Sequence, residues 1–192
     1  MAAHPAKVDL KLLLEYVDEE ARMDHILRTA RLTFREMTLE DLGFIAAMLA
    51  HPEVMRYYAK CYSRQEAEEW INRQRARYSS HGHGLWLVSD GETGEPLGQV
   101  GLSVQVVDGV EEPEIGYLIH HPFWRRGLAS EAAACVRDYA FDVLDKSRVI
   151  SLIRPENIPS QGVARKIGMQ PEKRTVFAGF DHIVFALARG ER

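Results

Sequence analysis

The chain has 192 residues, 46% of them hydrophobic, which is enough for one well-buried domain and too few for two of ordinary size. Its formal net charge of -4 provides no global positive field, so extended binding to nucleic acid is disfavoured. The only cysteines, Cys61 and Cys135, lack CxxC spacing, which disfavours a disulfide framework or a zinc knuckle. Neither a signal peptide nor a membrane span is indicated, and we expect a soluble, cytoplasmic protein.

The beginning of the chain is interpreted as an extension, residues 1–27, that precedes the main domain at residues 28–192. Apolar residues recur at helical spacing over about residues 8–23 and predict a helix there. Such a helix would serve either as a contact in a homodimer or as a flap over a substrate site, and no residue decides between them.

Two helices are predicted next, each from a capping signal at its start. Thr38 opens TLEDLGFIAAMLA, with Asp41 three residues later as a weaker form of the capping-box acid. Ser63 and Glu66 form a true capping-box pair and predict a helix that runs toward Tyr78.

The remaining segments alternate in a way that predicts a mixed sheet. GLWLVSD, PLGQVGLSVQVV and EIGYLIHH are strand-like, and the turns between them favour an antiparallel meander. A helix over residues 128 to about 144, a strand over 148–153 and a helix over 160–166 follow, before the strands KRTVFAGF and HIVFALAR. A strand, a crossover helix and a strand imply one parallel pair in a mostly antiparallel sheet. The fold class is therefore α/β (α+β), in a single domain flanked by helices.

The loop WRRGLA, residues 124–129, lies between a strand-like run and a helix rich in alanine. Gly127 permits close approach of the backbone to a ligand, and Arg125 and Arg126 supply charge and fork-shaped donors. With the N-terminus of the following helix and Ser130, these groups suit an anionic diphosphate. An ordinary loop with solvent-facing arginines remains the alternative, because the pattern is neither Walker A nor GxGxxG.

A second segment, RPENIPSQGVARKIGM, follows the apolar strand VISLI and contains Asn157 and Ser160 where strand gives way to helix. Together the two segments resemble the acetyl-CoA motifs of the GNAT N-acetyltransferase superfamily. The matching positions are Trp124, Gly127 and Ala129 in the first segment, and Asn157, Ser160, Lys166 and Gly168 in the second. RLTFREMTLEDL, HPEVMRYY and AGFDHIVFALAR look like the branch that acetylates the N-termini of ribosomal proteins, so the resemblance covers about residues 28–189.

The resemblance implies a sheet whose two central parallel strands splay apart and admit the pantetheine arm of acetyl-CoA, the co-substrate. It implies that Leu118 and Ile119 pair with the pantetheine, and that Asn157 contacts the pantetheine or positions the thioester. Asn157 is otherwise a helix cap. The backbone amides expected to hold the pyrophosphate are those of Arg125, Arg126, Gly127, Leu128, Ala129 and Ser130.

Acetylation of an amine by a thioester requires a neutral amine and no covalent nucleophile. Glu114 is the candidate base, directly or through water, and its alternative is an exposed residue of EEPE. His120 or His121 is a second candidate base. In many members of the superfamily that the chain resembles, a tyrosine seven residues beyond the motif asparagine donates a proton to the leaving thiolate. Ala164 stands at that position here, which leaves Ser160, water or solvent to protonate the thiolate. Ser160 is otherwise the cap of its helix.

The histidines do not show metal-ligand spacing, since neither HExxH nor a Cys/His pattern is present, and we expect no metal. His81 and His83 are interpreted as part of the loop before GLWLV.

The acceptor is expected to contact Tyr57, Tyr58 and Asp181, although the two tyrosines have plain packing as their alternative role. An α-amine, with a pKa near ~7.8, loses its proton more easily than lysine near ~10.4, which favours a protein or peptide N-terminus. Polyamines, amino acids and aminoglycosides remain alternatives. So do a non-catalytic acetyl-CoA sensor and a nucleotide-binding protein, although the chain shows no adenine or magnesium signature.

Overall fold

The computed structural model describes residues 25–192. The helix predicted near residues 8–23 lies outside the described residues, and the domain boundary at residue 28 stays a prediction. The elements in chain order are β1 (Leu27–Arg28), β2 (Leu32–Arg35), α1 (Leu42–Ala50), α2 (Arg64–His81), β3 (Leu85–Asp90), β4 (Pro96–Val107), β5 (Val110–Ile119), α3 (Leu128–Asp142), β6 (Arg148–Ile153), α4 (Ile158–Lys166), β7 (Gln170–Phe177) and β8 (Phe180–Ala188). Within residues 25–192, no helix has both the length and the apolar character needed to cross a membrane.

The strands form one eight-stranded sheet in the order β1-β2-β3-β4-β5-β6-β8-β7. Neighbouring strands are antiparallel except β5 and β6, which are parallel. The prediction of a mostly antiparallel α/β sheet is therefore confirmed. The two-residue strand β1 was not predicted, because so short a segment carries no periodicity.

The parallel pair in the middle of the sheet is joined at a single register position, Glu114 opposite Ile150. On its other edge β5 pairs with β4 along its whole length, from Gly98 opposite Ile119 to Val107 opposite Val110. The sheet thus opens between β5 and β6 beyond Glu114, in the direction of Ile119. This opening, which we call the central gap, matches the splayed strands that the resemblance implied.

Helices cover both faces of the sheet and bury two hydrophobic cores. On one face, α3 packs through small side chains such as Ala132 and Ala133 against Ile115 and other strand residues, so the helix lies close to the sheet. On the other face, α1 and α2 bury Ile45 and Ile71 against Leu87 and its neighbours. The sheet therefore lies between the two cores.

The helix starts confirm part of the capping analysis and revise the rest. Ser63 and Glu66 form the predicted reciprocal cap of α2, which continues past Tyr78 to His81. Thr38 and Asp41 also form a capping box, but it opens a 3-10 turn at Leu39–Asp41 that precedes α1. The last helix begins earlier than predicted, as described below for the site.

Gly101 in β4 offers a test of this packing. A Cβ there would lie 2.0 Å from the Gly84 carbonyl oxygen and 2.8 Å from the Leu85 Cα, both rigid backbone atoms. We expect Gly101→Ala to lower the free energy of unfolding by about 3 kcal/mol in chemical denaturation. Gly162 is the control, because nothing lies within 4 Å of its Cβ position in α4. Gly162→Ala should instead stabilise by up to about 1 kcal/mol, and equal effects of the two changes would contradict the packing.

Candidate active site

The loop between β5 and α3 turns sharply and exposes its backbone. The indole Nε1 of Trp124 donates to the Ile119 carbonyl at 2.6 Å and closes the turn. Arg125 and Gly127 both have positive φ, 62° and 78°, and Gly127 is the residue that directly precedes α3. Positive φ suits glycine and strains arginine, so the loop holds an unusual backbone at the start of a helix.

The residues predicted to hold the pyrophosphate therefore lie together at the N-terminus of α3. The side chains of Arg125 and Arg126 are exposed, whereas that of Leu128 is buried in the core and anchors the helix. Leu128, Ala129 and Ser130 form the first turn of α3, where backbone N–H groups have no partner within the helix. Such a turn attracts an anion through its N–H groups and the helix dipole.

The edge of β5 that faces the central gap follows from the strand alternation. Leu102 of β4 donates its N–H to the carbonyl of Gly84, just before β3, so the even-numbered residues of β4 direct their backbone groups toward β3 and the odd-numbered ones toward β5. His120, just after β5, donates its N–H to the carbonyl of Leu97 on β4. Even-numbered residues of β5 thus direct their backbone groups toward β4, and odd-numbered ones face the gap. This places Ile119 on the gap as expected, but the backbone of Leu118 pairs with β4, and Tyr117 takes its place at the edge.

Glu114 lies at the closed end of the central gap. Its carboxylate accepts hydrogen bonds from Gln105 Nε2 at 2.8 Å, from Ser103 Oγ at 3.4 Å and from the Leu152 N–H at 3.4 Å. Burial raises the pKa of Glu114 above its ordinary value, although these hydrogen bonds and the charge of Arg77 oppose the shift. The carboxylate is thus more basic than an exposed glutamate, which is the property a general base needs.

Tyr58 is close enough to Glu114 for the charge of the carboxylate to act on it, although the two are far apart in sequence. Loss of hydration raises the pKa of Tyr58 to about 12, with a further contribution from the Glu114 charge. The Tyr58 side chain is nevertheless 48% exposed, so its ring is open to an incoming molecule. Tyr57 is half-buried and lies next to the Arg56 guanidinium, 5.8 Å from the ring centroid. Of the adjacent pair, Tyr58 is the one that the structure brings to the carboxylate.

Asp181 lies on the hairpin between β7 and β8, where it is exposed and faces Val176 across the hairpin. The neighbouring Phe180 ring lies under the guanidinium of Arg154, 4.5 Å away. Since Arg154 follows β6 directly, this hairpin lies at the end of β6 beyond the gap. A role for Asp181 in acceptor binding stays a prediction.

The start of α4 forms the other wall of the central gap. Asn157 Oδ1 accepts from the Ser160 N–H at 3.1 Å and caps the helix, which begins at Ile158. Of the two residues considered as caps, Asn157 is therefore the cap, and Ser160 lies within the first turn. Ala164 is fully buried and has no proton to donate.

Tyr117 is a site residue that the sequence analysis missed. Its hydroxyl donates to the Ser160 carbonyl at 2.7 Å, so it reaches from β5 across to α4. Burial, and secondarily the charge of Glu114, raise the pKa of Tyr117. The signal was present in the sequence, because Tyr117 alternates with Ile115 and Ile119 and is the only one of the three with a polar tip.

The comparisons with known proteins agree with this geometry. A sequence model described as an acetyltransferase (GNAT) domain matches residues 31–170, which is most of the chain. The chain belongs to the GNAT acetyltransferase family. GNAT enzymes use acetyl-CoA, and the chain is accordingly an acetyl-CoA-dependent N-acetyltransferase.

Individual relatives support the same assignment. The chain is similar to YkkB of Bacillus subtilis, 35% identical over 77% of this chain and 86% of that protein, and to the N-acetyltransferase YoaA of the same organism, 32% identical over 77% and 84%. An acetyltransferase structure from Agrobacterium tumefaciens superposes with a TM-score of 0.74 at 30% identity, over 85% of this chain and 94% of that one.

More distant structures share the GNAT fold. A putative ribosomal-protein-serine acetyltransferase of Vibrio cholerae has a TM-score of 0.72 at 24% identity, over 84% of this chain and 96% of that one. The ribosomal L7/L12 acetyltransferase RimL and the aminoglycoside acetyltransferase AAC(6')-Ib, both solved with coenzyme A, have TM-scores of 0.68 and 0.69. The fold is thus one that binds coenzyme A.

The histidines lie apart from the closed end of the GNAT gap. His120 and His121 cluster with His51, whose ring stacks on His121 with centroids 4.8 Å apart. Six residues of strand separate Glu114 from His120, which is about 20 Å at the usual rise, so neither histidine reaches the carboxylate. His83 is buried with Nδ1 2.9 Å from the Leu102 carbonyl oxygen, a structural contact. Among residues 25–192, no three His, Cys, Asp or Glu side chains gather as a metal site.

Arg31, in the turn between β1 and β2, braces the loop of this GNAT domain from outside. Its guanidinium donates to the Arg126 carbonyl at 3.1 Å and to Glu131 of α3 at 2.7 Å. Thr29 donates to the same carboxylate at 2.6 Å. Although burial opposes the shift, these hydrogen bonds lower the pKa of Glu131. The pairing also offsets a negative charge that would repel an anion at this helix end.

We expect Arg31→Ala to weaken the binding of coenzyme A about tenfold in calorimetry. The reason is that the Arg126 carbonyl loses its hydrogen-bond donor and the Glu131 carboxylate loses its positively charged partner. Arg35→Ala is the matched control, since Arg35 on β2 pairs with Asp41 at 2.7 Å instead of with the loop. The control should keep the affinity of the unmodified protein. An unchanged affinity in Arg31→Ala would show that the brace does not support the coenzyme site.

Proposed function

We propose that this GNAT enzyme transfers the acetyl group of acetyl-CoA directly to a primary amine, without a covalent enzyme intermediate, and that the amine is a protein or peptide N-terminus. The observation that carries the proposal is the position of Glu114 at the closed end of the central gap. Glu114 would act there as the base, at the end of the strand edge that would bind the thioester and close enough to the exposed Tyr58 for its charge to act on that ring.

The donor half of the site is formed by the loop and the strand edge. The backbone N–H groups from Arg125 to Ser130 would hold the pyrophosphate, each favourable interaction with the helix end contributing roughly 0.3 to 1 kcal/mol. Several such groups act together, which suits a doubly charged diphosphate. The Ile119 N–H and the backbone groups of Tyr117 would pair with the pantetheine amides, whereas the Ile119 carbonyl already accepts from Trp124. Asn157, whose Oδ1 caps α4, would offer its amide N–H₂ to the same ligand.

The acceptor half centres on Glu114. Acetyl-CoA supplies an acyl carbon activated as a thioester, and the enzyme must take a proton from the attacking amine. The raised pKa of Glu114 makes it a better base than an exposed carboxylate, and hydrogen bonds from Gln105 and Ser103 hold the carboxylate in place. Ser160 is placed at the gap wall, where its hydroxyl would contact the donor, and this role also remains a proposal.

An N-terminal α-amine is the acceptor class that demands least of such a base. At neutral pH it is neutral far more often than lysine, by about 3.5 kcal/mol of free energy. The fold shared with two proteins described as ribosomal-protein acetyltransferases supports the same class. The neighbour described as an aminoglycoside acetyltransferase keeps a small-molecule amine as the second candidate.

A panel of amines tests the proposed acceptor through the release of the coenzyme A thiol. It contains a peptide with a free N-terminus, the same peptide with a blocked N-terminus and a free lysine, spermidine and an aminoglycoside. We expect turnover with the first peptide and none with its blocked form. Preferred turnover of spermidine or the aminoglycoside would contradict the peptide assignment. Binding of acetyl-CoA without thiol release from any amine would indicate a sensor, and tighter binding of ATP than of coenzyme A a nucleotide-binding protein.

Glu114→Gln tests the base. We expect turnover to fall about 10²- to 10⁴-fold with little change in acetyl-CoA affinity, and the loss of activity at acidic pH to disappear from the rate profile. The exposed neighbour Glu111 provides the control, and Glu111→Gln should keep the full rate. A full rate in Glu114→Gln would exclude Glu114 as the base.

The same variant has a predicted effect on stability. Because the pKa of Glu114 is raised on folding, its contribution is most favourable below the unfolded pKa and is lost as pH rises through the folded pKa. At neutral pH the buried carboxylate is therefore destabilising, and Glu114→Gln should raise the melting temperature.

A further inference from the structure

The central gap contains a second group suited to the chemistry of the leaving sulfur. Tyr117 stands three residues beyond Glu114 toward the loop, on the edge of β5 that has no ladder with β6. Its hydroxyl spans the gap to the first turn of α4. A ligand that ran from the loop to Glu114 along this edge would pass the backbone of Tyr117, from which the hydroxyl extends toward α4.

The position of the sulfur follows from that of the base. If the amine attacks beside Glu114, the acetyl carbon lies at the closed end of the gap, and the sulfur lies one bond further toward the loop. The Tyr117 hydroxyl is close enough to Glu114 for the carboxylate charge to act on it. A sulfur in that position would lie on the same side of Glu114 as Tyr117, which stands beyond the last β5–β6 pair.

We propose that the Tyr117 hydroxyl donates a hydrogen bond to the coenzyme A sulfur as the carbon–sulfur bond breaks, which stabilises the thiolate. This inference rests on the proposed function. The amine nitrogen forms its bond to the acyl carbon, the electron pair of the broken bond passes to sulfur, and the amine proton passes to Glu114. Tyr117 keeps its own proton, and the released thiolate takes a proton from water.

The local structure permits the phenol to change partners. The hydroxyl now donates to the Ser160 carbonyl at 2.7 Å, and rotation about its C–O bond redirects the proton while the oxygen stays in place.

Burial keeps this phenol protonated. Because burial and the Glu114 charge raise the pKa of Tyr117, the hydroxyl remains a donor at any pH at which the amine is acetylated. A donor that retains its proton stabilises charge that develops in the transition state, as oxyanion-hole groups do.

The test uses coenzyme A alone, so it does not depend on the acceptor. The ultraviolet absorbance of the thiolate is followed during a pH titration of bound coenzyme A, with the full chain as it is and with Tyr117→Phe. We expect the pKa of the bound thiol to be about one unit lower in the unmodified protein, the equivalent of one hydrogen bond. Tyr139→Phe is the matched control, since Tyr139 lies on α3 against Trp86, and it should leave the thiol pKa unchanged.

Replacement of Tyr117 by 3-fluorotyrosine separates this role from a structural one. The fluorinated phenol keeps the contact with Ser160 and is a stronger donor, so the thiol pKa should fall further; a purely structural role would leave it unmoved. Turnover of the best amine from the panel should fall about tenfold in Tyr117→Phe with an unchanged KM for acetyl-CoA. Equal thiol pKa values in all variants would overturn the inference while leaving amine turnover intact. Failure of the proposed function would appear instead as a shifted thiol pKa without turnover of any amine.

Discussion

The parting of β5 from β6 after a single register position is the constraint on which the rest of the molecule depends. A central strand that gives up its ladder exposes N–H and C=O groups, which costs free energy unless water or a ligand satisfies them. The opening persists because β5 is paired along its whole length with β4, and β6 is paired with β8. The pairing with β4 and β8 therefore keeps the gap open, and coenzyme A would supply hydrogen-bond partners to the backbone groups that β5 and β6 do not offer each other.

The chemistry is then divided between the two ends of the gap. At the open end, Arg125 in a strained conformation and Gly127 present backbone N–H groups, and Arg31 donates from a distant turn to the Arg126 carbonyl between them. At the closed end, Glu114 is half-buried, has a raised pKa and accepts hydrogen bonds from three donors. Both arrangements cost stability in the free protein, which is the usual relation between functional groups and the fold that carries them.

Local signals in the sequence proved reliable where a short segment is sufficient to decide the outcome. The reciprocal cap of Ser63 and Glu66 formed as predicted, because both residues lie in one helical turn. The start of α4 was misplaced by two residues, since Asn157 and Ser160 are both good caps and only the path of the chain after β6 selects Asn157. The backbone direction at Leu118 depended likewise on its register against β4, which no local pattern encodes.

The sequence by itself determined the family and the acetyl donor. Two motifs in order, WRRGLA and the segment from Asn157 to Gly168, identify a fold that binds acetyl-CoA. They can be read from the sequence because each forms its loop or helix start from neighbouring residues alone. Only the tertiary structure decided which groups meet in the gap. Tyr58, from the loop before α2, lies close enough to Glu114 for the charge of the carboxylate to act on it. Tyr117 of β5 donates to the Ser160 carbonyl of α4, and Arg31 donates to the Arg126 carbonyl almost a hundred residues later in the chain. These long-range interactions depend on the order of the strands and on the packing of the two cores, which are properties of the whole fold and of no single segment.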